Sequence, residues 1–152
     1  MIVTKIISNP VIIKNLKVGD LFAVPSNDGG RYICQVVYVM KELHNVFLYF
    51  FENSKFHGEY IPNDFSAETS KIISGFFVTP ENFYNKWAHV GNQPYPNHSV
   101  LDKVERVKIY DLKGMITIGG GLVSKYVDTY FGIYPMESWP MPEYVMGHFL
   151  PK

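Results

Sequence analysis

Lys17-Val18-Gly19-Asp20-Leu21-Phe22-Ala23-Val24-Pro25, then Ser26 to Gly30, then Arg31-Tyr32-Ile33-Cys34-Gln35-Val36-Val37-Tyr38-Val39 is the stretch from which the fold is read. Two runs of apolar, β-branched and aromatic residues flank a Ser-Asn-Asp-Gly-Gly cluster, whose glycines can take the positive φ that a tight reversal needs. The pattern predicts a β-hairpin. After the polar break Lys41 to Asn45 comes Val46-Phe47-Leu48-Tyr49-Phe50-Phe51, which the simplest topology adds as a third antiparallel strand beside the second. The expected nucleus is therefore three consecutive antiparallel strands across residues 19–51, with Phe22 in the core.

The order Gly19-Asp20-x-Phe22-x-Val24-Pro25, the turn at Asp28-Gly29-Gly30, the aromatic Tyr32 and the strand Gln35-Val36-Val37 resemble the N-terminal signature of the immunity protein 26 family of bacterial polymorphic toxin systems. The resemblance covers about the first third of the chain, through Phe51. It departs from the signature at Cys34, where a small residue such as glycine is expected. Membership implies a small bacterial protein that binds and neutralises a cognate toxin without catalysing a reaction. A small β-barrel module that binds nucleic acid is the alternative, since a hairpin opening with Gly-Asp and followed by an aromatic strand also suits that class.

Working outward, 152 residues suit one domain with a single core. The expected layout is a single domain 1–152 with a β-rich N-terminal half (1–78), a helix (80–90), a second β-rich part (103–134) and an extended C-terminal tail (135–152). The fold class expected is α+β: mostly antiparallel sheet, able to close part-way into a small barrel, with one main helix packed on it. Aromatic residues make up 16% of the chain and charged ones 18%, enough apolar surface for a packed core. Formal charge is zero and balanced within each half, without the basic excess that phosphate binding favours, so no nucleic-acid partner is expected.

The single cysteine, Cys34, cannot pair internally and sits in an alternating strand, where it reads as a small buried hydrophobe. A lone thiol fits a reducing compartment. No apolar run approaches membrane-spanning length, and the N-terminus carries Lys5 inside its apolar stretch, so a cytoplasmic location without membrane association is expected. Ile2 to Ile7 and Val11 to Ile13, broken by Asn9-Pro10, read as an interrupted edge strand.

Glu52 to Ser70 is a long polar excursion with Glu52, Glu59, Asp64 and Glu68 against Lys55 alone, and with an optional short strand through Tyr60-Ile61. Acids beside an aromatic suit the basic cleft of a toxin that acts on nucleic acid, so Glu52, Glu59, Tyr60, Asp64 and Glu68 are the candidate partner-binding residues. A solvated loop whose acids maintain solubility is the other reading. Lys71 to Val78 reads as a strand with Gly75 a candidate bulge. Thr79-Pro80-Glu81 supplies helix-start chemistry, with Phe83, Trp87 and Val90 on one face and Gly91 at the end. Asn92 to Ser99 is a connection. Val104 to Tyr110 and Met115 to Ile118 suggest a second hairpin, and Tyr126 to Tyr134 another strand. Trp139, Tyr144 and Phe149 in the proline-rich tail are expected to pack back on the domain.

The remaining motifs point to no chemistry. Gly119-Gly120-Gly121 lacks the Gly-Lys-Ser/Thr ending of a phosphate loop, and His44, His57, His89, His98 and His148 show no zinc-like interval. Asp102 with Glu105 is a chance carboxylate pair, and Tyr49 with Phe51, spaced as base-stacking residues would be, reads better as core. No catalytic residue, metal or cofactor is expected.

Overall fold

Gly19 turns the chain into β1 (Asp20–Pro25), which pairs antiparallel with β2 (Arg31–Met40) from Leu21 opposite Gln35 to Pro25 opposite Arg31. The computed structural model describes residues 16–40, 45–58, 62–79, 87–109, 117–118 and 122–139. The hairpin closes as its turn chemistry demands: Ser26 N–H donates to the Gly30 carbonyl at 2.8 Å, and Gly29 takes φ +91°. β2 pairs antiparallel with β3 (Asn45–Phe51), and β3 pairs antiparallel with β4 (Ile72–Val78). The expected three-strand nucleus is thus present, with Phe22 and Cys34 fully buried.

β5 (Ala88–Asn92) pairs antiparallel on the other side of β1, and β6 (Thr117–Ile118) runs parallel to β4. The order is β5-β1-β2-β3-β4-β6, five antiparallel strands plus a short parallel one. β5 and β6 end the sheet and do not pair with each other, so it is open rather than part of a barrel. The composition of β3 and β4 explains this. Every residue from Asn45 to Phe51 and from Ile72 to Val78 is buried, so both sheet faces need a cover, whereas a barrel would turn one face to water.

One face carries Phe22, Val24, Tyr32, Cys34, Leu48, Phe50 and Phe76. The helix α2 (Val123–Tyr130) covers it with Val123, Tyr126, Val127 and Tyr130, spaced i, i+3, i+4, i+7. The other face carries Phe47, Tyr49, Phe51 and Phe77, covered by Ala67, Val100 and Val104. Val104 belongs to the helix α1 (Asp102–Ile109), and Val100 to the 3-10 turn before it.

Several expectations are corrected. Residues 88–90, expected to end a helix over 80–90, instead belong with Gly91 and Asn92 to strand β5, because Ala88 and Val90 alternate into the core and the backbone is held by β1; 80–86 lie outside the described residues. In the part expected to be β-rich (103–134), Val104 onward is helix α1. His98 Nδ1 accepts the Val100 N–H at 3.0 Å at its approach, and Asp102 and Glu105 sit in the first turn with Arg106 and Lys108 in the last, in accord with the helix dipole. Tyr126 to Tyr130 belong to α2 for the amphipathic spacing given above. Gly75 is no bulge: it stands in register opposite Tyr49, and the register shifts between Phe50 and Phe51 instead. Glycine is required there because a Cβ would lie 2.8 Å from the Phe47 ring.

The described part of the tail is a 3-10 turn, Met136–Ser138, rather than extended chain. Trp139 does pack back, its Nε1 donating to Thr129 Oγ1 at 2.9 Å and its ring 4.7 Å from that of Tyr126. The N-terminal edge strand, Tyr60-Ile61, Gly119 to Gly121, Tyr144 and Phe149 lie outside the described residues.

Candidate functional site

The polar excursion after β3 is held at both ends. At its neck Glu52 N–H donates to the Lys71 carbonyl at 2.9 Å, and the Glu52 carboxylate lies 3.5 Å from Lys71 Nζ. Phe56 is buried and exchanges two backbone hydrogen bonds with Arg31, which ties the segment to the start of β2. Farther on, Phe65 packs edge-on against Phe51 with ring centroids 5.5 Å apart, and Ala67 is buried. Gln93 fixes this turn from outside: its Nε2 donates to the Phe65 carbonyl at 3.1 Å, and its Oε1 accepts the Ala67 N–H at 2.8 Å.

Of the candidate partner-binding residues, Asp64 and Glu68 are exposed, on the two successive turns that flank the segment Gln93 holds. Glu52 is half-buried and engaged with Lys71, apart from them. Glu59 and Tyr60 lie outside the described residues. One exposed aromatic was not among the candidates: Tyr95, between Pro94 and Pro96, is 40% exposed. Its ring stands 6.4 Å from Tyr49, which leads through Phe51 to Phe65, the residue after Asp64. Its signal was only an aromatic flanked by two prolines within a connection.

The Gly19-Asp20 pair has a structural task. Gly19 takes φ +96°, and a Cβ there would stand 2.7 Å from the Gln93 carbonyl, so a side chain is excluded twice over. Gln93 N–H donates to the Gly19 carbonyl at 3.0 Å, and the buried Gln35 amide donates to the Gln93 carbonyl at 2.8 Å. Asp20 accepts the Lys17 N–H at 2.9 Å and the Asn92 amide at 3.0 Å, and His89 Nε2 lies 3.2 Å from it. Burial works to raise the Asp20 pKa, but the bonds from His89, Asn92 and Lys17 outweigh it and hold the carboxyl below its usual 3.8. A carboxylate with a depressed folded-state pKa adds stability above its unfolded value, and the contribution disappears as pH falls through the folded one. Unfolding free energy, measured by urea titration from pH 6 downward, should drop below about pH 4, and Asp20→Asn should flatten that fall.

At the other end of the β1–β2 hairpin, a second polar cluster surrounds Asp128 of α2, which is fully buried. Ser26 Oγ and Tyr32 OH each donate to its Oδ1 at 2.5 Å, while the backbone N–H and side-chain amide of Asn27 donate to its Oδ2 at 2.8 and 2.9 Å. Burial and then the Asp128 hydrogen bond push the Tyr32 phenol well above its usual range. Beside it Asp28 pairs with Lys55, which holds its carboxyl well below the usual range, and His57 Nε2 lies 3.8 Å away. With both oxygens occupied by four donors, Asp128 is a clasp between hairpin and helix rather than a reactive group. Burial also raises the Cys34 thiol far above its usual pKa, which leaves it protonated and inert.

Among the described residues no three His, Cys, Asp or Glu side chains gather as metal ligands, and no helix is long and apolar enough to cross a membrane. Compared with known proteins, the chain matches no family model, no curated protein and no solved structure.

Proposed function

We propose that this chain is an immunity protein, acting in the bacterial cytoplasm, that binds a cognate toxin and neutralises it by occlusion rather than by catalysis. The observation that carries this reading is the pinned pair of turns on which Asp64 and Glu68 are exposed. A surface already ordered before binding loses less conformational entropy on association, and fixed acids steer a basic partner into register. The Gly19-Asp20 hairpin that resembles immunity protein 26 adds support, since each residue of the pair has a defined task in the fold. The nucleic-acid alternative is less well supported, because Tyr49 and Phe51 are buried in the core and offer no face on which a base could stack.

The test uses the toxin C-terminal domain that this reading expects to be encoded beside this gene. Co-expression of this chain should restore growth to cells making that domain, and the two purified proteins should associate. Changing Glu59, Asp64 and Glu68 together to Ala should weaken association roughly tenfold or more, with a smaller dependence on salt. Unaltered affinity and salt dependence with an intact fold would move the contact surface to the basic stretch Arg106 to Lys125, where Arg106 is exposed.

A further inference from the structure

We propose that Tyr95 is the apolar anchor of the partner-binding surface, flanked by Val18 and rimmed by Asp64 and Glu68, and that its occupant is a cationic protein surface; this rests on the toxin-binding reading above. Among the described residues three large hydrophobic side chains are exposed: Val18 and Leu122, each 46%, and Tyr95, 40%. Single exposed hydrophobics are ordinary, but two of these three lie on chain segments bonded to each other. Asn92 donates from its side chain to the Val18 carbonyl at 3.3 Å, and Gln93 N–H donates to the Gly19 carbonyl next to it. The same Gln93 holds Phe65 and Ala67 through its side chain. Gln93, two residues before Tyr95, thus bonds both to the turn that follows Val18 and to the segment between Asp64 and Glu68.

The composition of this surface selects the class of partner. An aromatic anchor with a polar, charged rim is the usual make-up of a protein contact surface. Asp64 and Glu68 outnumber Lys17, the exposed cation next to Val18, so the surface repels phosphate backbones and favours a basic protein. Tyr95 also has firm backing in the buried Tyr49 ring.

The experiment measures binding of the purified neighbouring toxin domain to the wild-type chain and to Tyr95→Ala, Tyr95→Phe and Leu122→Ala, with unfolding midpoints to confirm that each is folded. Tyr95→Ala should weaken binding at least about tenfold, Tyr95→Phe should stay near wild type, and Leu122→Ala, which sits at the start of α2, should have no effect. Wild-type affinity should fall as salt is raised. Tight wild-type binding with Tyr95→Ala unaffected, with Tyr95→Phe as damaging as Tyr95→Ala, or with no salt dependence would overturn this surface while leaving the toxin-binding reading standing. Absence of wild-type binding would overturn both.

Discussion

Replacing Asp128 by alanine is expected to lower the unfolding free energy by about 3 to 5 kcal/mol, since it strips several bonds from a buried charged acceptor at once. Asn27 is exposed and can turn to water, but Tyr32 is almost wholly buried, and its hydroxyl would be left without its acceptor. Asp128→Asn separates lost charge from lost geometry. Its amide oxygen can still receive the two Asn27 donors, and its NH₂ can donate to the Ser26 and Tyr32 oxygens if those hydroxyls rotate. The asparagine variant should therefore cost only about 1 to 2 kcal/mol. Urea midpoints at a common m-value measure both, and equal losses in the two variants would show that the charge, not the bonding geometry, holds hairpin to helix.

Phe22→Ala should cost about 3 to 5 kcal/mol, the usual range for truncating a fully buried phenylalanine. The ring is wholly buried, lies on β1 between Cys34 of β2 and His89 of β5, and meets the His89 ring edge-on at 5.4 Å. β2 and β5 flank the site on either side, so collapse into the void would have to shift two ladders. A loss under about 1 kcal/mol would mean that the residue does not bear on the core as the sheet implies.

The N-terminal sheet was legible because its signals are local. Glycines in the turn, apolar alternation in β1 and β2, and the unbroken run of β3 all act within a few residues of one another. β5 was not, because the helix-start chemistry of Thr79-Pro80-Glu81 is also local, whereas residues 88–92 are fixed by Asp20 and Gly19, distant in sequence. α2 carried its evidence openly in Val123, Tyr126, Val127 and Tyr130, but its β-branched and aromatic residues also suit a strand. At the candidate site, the exposure of Asp64 and Glu68 followed from polarity alone. The inclusion of Tyr95 and the clasp at Asp128 did not, since each depends on partners brought in by the tertiary fold.

The strand order has a consequence for how the chain finds its fold. β1 through β4 each meet a neighbour adjacent in sequence, so their loops close at modest entropic cost, while β5 must return across the whole meander to reach β1. A seam of such long range gains little until the meander already exists to receive it. Gly19 and Asp20 stand at the opening of the first hairpin, yet their bonds to His89, Asn92 and Gln93 are made only across that seam. The pair that heads the chain's most readable motif therefore faces both ways: Gly19 N–H donates to the Val36 carbonyl within the hairpin at 2.7 Å, while the bonds to His89, Asn92 and Gln93 make it a latch on the long-range seam.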